Sequence, residues 1–533
     1  MRGLFLAVFA LLIVAGDSGR YIPQLIANAQ SVLQFHSENV PLTEKASKLN
    51  DELSSSSYSP HTDIDEALAF LWLASKQGSE VAQSILLEQF ESAYEKQFLA
   101  IGGIDKSNTV HYLEKLVNLE NADAAWLLYQ ILGEEGASKR FMRLAALGNV
   151  AEAQLAFAMS TDSPEKREKW LVRAASQDYL PAQAALADWY LLHGQQALAK
   201  PLLAKTATLD MQSAFKYGRL LWGEGDHAKA REHFKVAAEK GHAQAKQALD
   251  ATERYTSYSE QQAIKYSGSF DWEKEKDCLQ RIQPFATSLA TIMRAHTLYE
   301  TFKNDDRLQG LSICLAPPIW LNAEVLSCES NFKNTGVLGC GIAPLASIAK
   351  KRKFSHAIVV AEQGKANVQN GVMYLDISDA YSVFVHELAH FSGFADEYPM
   401  GKGMAKKLCD ENGIGDFLPP NLIVDTDYWY APHTTVSNWL EIDPSTIIAR
   451  AKTCAVLGVN SYKPSRRITF MEHHDSGVIP PLYLVLWEQQ LKKQNAQRPI
   501  SMNFFQVFHN NGNQKEAAHW LAEYEAFASA QGQ

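Results

Sequence analysis

The sequence predicts a multidomain chain: an N-terminal all-α solenoid of αα-hairpin repeats, then a C-terminal α+β domain. Three observations predict it. The 533 residues exceed what a single hydrophobic core organises. One Ala-rich line of text recurs through residues 61–252. From Trp272 onward prolines, aromatics and β-branched residues increase, and all six cysteines (Cys278, Cys314, Cys328, Cys340, Cys409 and Cys454) fall there. Apolar residues at 46% and charged residues at 21% are the balance of a chain whose body folds in water. The net charge of -10, with the two signs interspersed, argues against nucleic acid as a partner.

Residues 1–16 read as a signal peptide. Arg2 precedes an apolar run from Leu4 to Ala15, too short to cross a hydrocarbon core, and Val14 and Gly16 supply the small residues of a cleavage site before Asp17. The expected location is therefore exported, periplasmic or secreted, with no membrane attachment after signal removal. An even number of cysteines fits an oxidising compartment, where six thiols allow fifteen pairings and sequence alone does not choose among them. An N-terminal segment, 17–60, carries the soft stretch Ser54–Ser57 before the repeats begin.

The repeat text appears as AFLWLASKQGSEVAQSIL from Ala69, RFMRLAALGNVAEAQLAF from Arg140, KWLVRAASQDYLPAQAAL from Lys169 and REHFKVAAEKGHAQAKQAL from Arg231. Each copy is a helix that stops at a Gly or Asp, followed by a small-residue helix start, which makes an αα-hairpin. One hairpin cannot cover its own apolar face, so the copies must stack into a superhelix. The segments LAS-KQG-SEVAQ and VAAEKG-HAQAKQAL resemble the Sel-one-like repeats, relatives of the tetratricopeptide family. That resemblance implies a concave surface that holds a protein or peptide partner. Trp72, Trp126, Trp170, Trp189 and Trp222 are expected to serve the core rather than a ligand. Polar residues 253–271 suit a linker or docking segment, and 272–533 form the second domain.

Strand-like runs at His356–Val360 and Val372–Ile377 lead toward VMYLDISDAYSVFVHELAHFSGFADEY. Ser378 or Asp379 is expected to cap a helix there. His386 and His390, four apart, project from one helix face and can meet a single tetrahedral zinc ion, Zn2+. Glu387, beside a ligand, can reach the water at such a metal without binding it. Gly393 accepts the positive φ that turns the chain back, and Asp396 follows as first choice for the third ligand. Glu397, one residue on, is the competing carboxylate. The spacing HExxHxxGxxD is similar to that of the metzincins, with Asp for the final His.

HELAHFSGFADEYP resembles the active-site stretch of the IgA-specific metallopeptidase family, as do Pro420, Asn421 and Leu422 and the run ITFMEHHDSGVIPPLYLVLWE. Ala389 stands where the family has Gly, and the stretch before ADEY is one residue shorter, so the ligand register at 396 or 397 stays open. The resemblance implies a metzincin-like domain in which Met471 floors the zinc site. His473 and His474 are either candidates to place an imidazolium near the oxyanion of the transition state or solvated loop histidines, and Tyr398 and Tyr483 are candidate donors to that oxyanion. The expected function is an exported zinc-dependent metalloendopeptidase acting on a protein or peptide substrate. Its alternative is a catalytically weak or inactive scaffold that acts through the repeats.

Overall fold

The computed structural model describes residues 21–39, 60–95, 106–133, 136–266, 268, 270–272, 278–409, 419–425, 434–493 and 497–529. The export signal, its cleavage site and the Ser54–Ser57 stretch lie outside them. Two compact units divide the chain, Met1–His242 and Ala243–Gln533.

Among the described residues the first unit has helices and no strand, built of antiparallel pairs such as Lys139–Leu147 with Ala151–Ser160 and Pro164–Ala175 with Leu180–Leu192. Its alanines explain the close stacking: Ala145, Ala146, Ala153, Ala158, Ala174, Ala182 and Ala187 are fully buried, so helices approach almost backbone to backbone. The recurring Gln of the repeat text has a defined task. Gln154 donates to Ala146 O (3.1 Å) and Asn149 Oδ1 (3.1 Å), and Gln183 donates to Ala175 O (3.3 Å) and Asp178 Oδ1 (3.2 Å). Each amide thus satisfies a carbonyl at the end of the preceding helix, and leaving such a buried group bare costs about 1–3 kcal/mol. Gln177 Nε2 reaches Gln154 Oε1 at 2.8 Å and ties one copy to the next. Asp178 adopts the left-handed conformation expected where a helix stops at an Asp, while in the copy from Arg140 it is Asn149 rather than Gly148 that adopts it. The five tryptophans are half-buried and pack on the core as expected: Trp72, Trp126, Trp170 and Trp189 lie against buried clusters, and the Trp222 ring lies 6.3 Å from that of the fully buried Phe234. Trp170 packs edge-on to Phe157 at 5.2 Å.

The second unit begins with Ala243–Arg254, the last helix of the repeat text, which packs on Leu289–Lys303 through Tyr255, whose hydroxyl lies 2.9 Å from His296 Nδ1. Residues 253–271 are not a free linker. Glu260–Tyr266 is helical, Ala263 is fully buried, and Tyr258 bonds the chain at Trp320 and Asn322. Among the described residues eleven strands follow: β1 Gln280–Ala286, β2 Ile313–Leu315, β3 Ile319–Trp320, β4 Cys328–Glu329, β5 Gly339–Cys340, β6 His356–Ala361, β7 Asn367–Gln369, β8 Val372–Asp376, β9 Ile423–Asp425, β10 Ala449–Ala451 and β11 Asn460–Lys463. The main sheet runs β2-β1-β6-β8-β7, with β3 also on β1, and all its pairs are parallel except β7 on β8. Every residue of β6 and β8 is buried, as strands covered on both faces must be. A second sheet, β10-β11-β9, is antiparallel.

From β8 the chain enters the helix Tyr381–His390 through a turn made by Asp376, whose Oδ1 accepts from Ser378 N (2.7 Å) and Asp379 N (3.0 Å). That upstream aspartate displaces the expected Ser378 or Asp379 cap, and Ala380 occupies the N-cap with no side-chain bond. The cysteines pair as Cys278–Cys314, Cys328–Cys340 and Cys409–Cys454, an arrangement that belongs to an oxidising, exported environment. No helix among the described residues is long and apolar enough to cross a membrane.

The β7–β8 corner supplies a test of this packing. Gly371 has φ +80°, and a Cβ there would lie 2.3 Å from Ile500 N. Gly371→Ala should therefore cost about 2 kcal/mol or more of stability in chemical denaturation of the full chain, and a loss under about 0.5 kcal/mol would contradict the packing.

Candidate metal centre

The motif helix Tyr381–His390 buries Phe384, Val385, Leu388 and Ala389 on one side, with Phe384 near Pro284 of β1 and Ile358 and Val360 of β6, and turns His386, Glu387 and His390 to the other. Gly393, at φ +79°, reverses the chain as expected, with Phe394 N returning to Ala389 O at 3.3 Å. This brings Asp396 back over the helix. Its Oδ1 lies 3.0 Å from His386 Nε2 and 3.2 Å from His390 Nε2, and the two Nε2 atoms are 3.2 Å apart.

The protons on these rings follow from their other nitrogens. His386 Nδ1 lies 2.9 Å from Phe470 O and His390 Nδ1 lies 2.8 Å from Phe394 O. A carbonyl only accepts, so each Nδ1 carries a proton and each neutral ring presents a lone pair at Nε2. Asp396 Oδ1 is buried without a donor among the described residues. Three lone pairs therefore face one point. Ligand atoms about 2.0–2.1 Å from a tetrahedral zinc lie about 3.3 Å from each other, which the observed 3.0–3.2 Å edges fit. Glu387 also offers an oxygen within 4.8 Å of the two histidine nitrogens.

The charges agree with this geometry. Burial alone would raise the Asp396 carboxyl, but His386 and His390 outweigh it and hold it far below the usual carboxylate range. Burial alone would lower His390, but Asp396 outweighs it and pushes it up to about 9. One positive charge at the centre, a proton or a metal ion, is what the carboxylate calls for. Burial raises Glu387, and the neighbouring His390 and His386 offset this only in part.

Glu397 lies elsewhere. Fully buried, it accepts from Tyr483 Oη (2.6 Å) and Asn421 Nδ2 (2.9 Å) at Oε1, and from Thr469 Oγ1 (2.5 Å) and Lys463 Nζ (3.1 Å) at Oε2. With both oxygens occupied it does not join the histidines. Tyr483, expected near the transition state, is fully buried and committed to Glu397 instead. Met471 is fully buried in the turn whose neighbouring carbonyl, at Phe470, orients His386, and its own carbonyl accepts from Glu397 N at 3.0 Å. His474 Nδ1 is 2.9 Å from Asp475 Oδ1 and 3.3 Å from Ser382 Oγ, and its ring stacks on His473, so this pair is tied to the start of the motif helix. The Tyr398 ring lies 6.2 Å from that of His386, and its hydroxyl bonds the Asp396 carboxylate. Lys463 and Thr469 carry no sequence signal of a role here. Asn421, noted only in the PN run, clasps the ligand loop by bonding both Ala395 N and Ala395 O at 2.9 Å. A separate cavity of about 370 Å³, lined by Arg281, Phe354, Ser501 and Trp520 among others, contains none of these residues.

Fold and site together define a helical-repeat protein with a two-histidine, one-carboxylate cluster in its second unit. No known family model matches the chain, and no curated protein matches it. Solved structures similar to it are repeat proteins: a protective antigen of uropathogenic Escherichia coli strains displaying an SLR fold (21% identity over 34% of this chain and 43% of that one, TM-score 0.28) and a Sel1 repeat protein from Oxalobacter formigenes (17%, 45% and 82%, TM-score 0.25). MamA is similar over 30% of this chain and 96% of its own, at 19% identity and a TM-score of 0.22. The chain thus spans less than half the length of the Escherichia coli antigen.

Glu387 gives a pH test. A carboxyl raised by burial binds its proton more tightly folded than unfolded, so its cost appears as pH rises above the unfolded value, about 4.3. In metal-free protein the melting temperature of Glu387→Gln should gain on that of the parent between pH 4 and pH 7. A difference that stays flat or reverses would contradict this.

Proposed function

We propose that this chain is an exported protein-binding repeat solenoid whose second unit hydrolyses peptide bonds at a zinc ion held by His386, His390 and Asp396. The observation that carries the reading is the convergence of three lone pairs at tetrahedral spacing, with both imidazoles fixed by carbonyl acceptors. When bound, zinc supplies the Lewis acidity that makes water a nucleophile at neutral pH. Glu387, buried and raised, accepts the proton that the attacking water gives up and returns it to the departing amine nitrogen. Tyr398, bonded through its hydroxyl to Asp396, keeps its proton and would donate to the carbonyl oxygen only after turning from that carboxylate. β7 pairs only with β8 among the described residues and lies against the motif helix, so its outer edge offers backbone groups to an extended peptide. Two imidazoles with one carboxylate, and no thiolate, suit a catalytic rather than a closed structural zinc site.

A second reading, an interaction scaffold whose metal is structural, is at least as well supported. The stacked hairpins are themselves an architecture for holding protein partners, whereas turnover rests on the cluster alone.

Glu387→Ala separates the two in purified full-length protein. The hydrolytic reading predicts one zinc per chain in parent and variant, with peptide cleavage falling about 10²–10⁴-fold in the variant. Zinc in both without cleavage by either supports the scaffold, and zinc in neither sinks the metal centre.

A further inference from the structure

Glu397 is a charged side chain that hydrolysis does not use, yet it is fully buried and adjoins the third ligand in the chain. Its partner Lys463, on β11, is 2% exposed and reaches Glu397 Oε2 (3.1 Å), Glu472 Oε2 (2.5 Å) and Arg467 O (2.9 Å). Removing an ammonium and a carboxylate from water costs several kcal/mol per ion, and apolar side chains of similar volume would fill the space at less cost. The pair is therefore a poor source of stability and a good source of geometry.

What it fixes is the loop 395–397. Asp396 O accepts from Thr453 Oγ1 at 2.7 Å, Glu397 O from Lys452 N at 3.0 Å, and Glu397 N donates to Met471 O at 3.0 Å. These anchors hold the backbone, and the carboxylate of Glu397, gripped from β11, from Thr469, from Asn421 and from Tyr483, keeps residue 397 from rotating. Thr469 is next to Phe470, whose carbonyl orients His386. One buried charge pair thus registers the Asp396 side of the centre against the His386 side.

We propose that Glu397 and Lys463 are positioning residues, a buried ion pair that sets where Asp396 stands relative to the two histidines. This rests on the metal reading of that cluster. Cobalt(II) added to metal-stripped full-length protein tests it, because its visible absorption reports coordination geometry as well as binding. The parent should bind one cobalt with the absorption of a four-coordinate site. Glu397→Gln and Lys463→Met should bind it about 10–100-fold more weakly and with an altered spectrum, while Lys463→Arg, which keeps the cation, should recover most of the affinity and the parental spectrum. Parental affinity and spectrum in folded Glu397→Gln and Lys463→Met would overturn the positioning role alone. A parent that binds no cobalt would remove the metal reading, and this role with it. Should both charge variants fail to fold, Thr469→Val decides, since it deletes one hydroxyl and leaves the charges paired: weaker binding with a shifted spectrum supports the role, and parental behaviour overturns it.

Discussion

Three lone pairs held within 3.2 Å of one another repel unless a positive charge joins them. The arrangement of His386, His390 and Asp396 is therefore a constraint that the rest of the second unit must enforce. Much of the local structure reads as enforcement. β8 delivers the chain to the Asp376 turn, the turn starts the motif helix, Gly393 folds the chain back, and two backbone carbonyls point the imidazoles inward. A pre-set cluster binds a cation without first ordering its ligands, which is where much of the cost of a metal site otherwise falls.

The first unit solves a different problem. Its helices bury alanines between larger side chains such as Leu71, Phe90, Leu128 and Phe234, so each pair covers its apolar face only against its neighbours. The buried Gln154 and Gln183 fix the corner inside each hairpin, and Gln177, donating to Gln154, ties one copy to the next.

How much of this could be read in advance follows the distance along the chain over which each feature acts. His386, Glu387, His390, Gly393 and Asp396 lie within eleven residues, and helix periodicity with one positive-φ turn suffices to bring them together. The strand runs of β6 and β8 were legible for the same local reason, whereas the task of the repeat Gln became visible only in the structure. Glu397 was not separable from Asp396 by spacing, because its fate depends on Lys463, Thr469 and Tyr483, which lie 66 to 86 residues away. The helix start was misplaced because Asp376, outside the expected cap, makes the turn. The repeat tryptophans were legible as core-packing residues from their helical spacing, and each keeps part of its ring at the surface. Disulfide pairing required three dimensions outright.

X-ray absorption at the zinc edge, on full-length protein loaded with one equivalent of zinc, examines the centre most directly. Two imidazole nitrogens and one carboxylate oxygen at about 2.0–2.2 Å, completed by a lighter-atom ligand from solvent, are the predicted shell. A shell of sulfur, a six-oxygen shell, or a protein that returns its zinc to buffer would contradict a metal centre built from His386, His390 and Asp396.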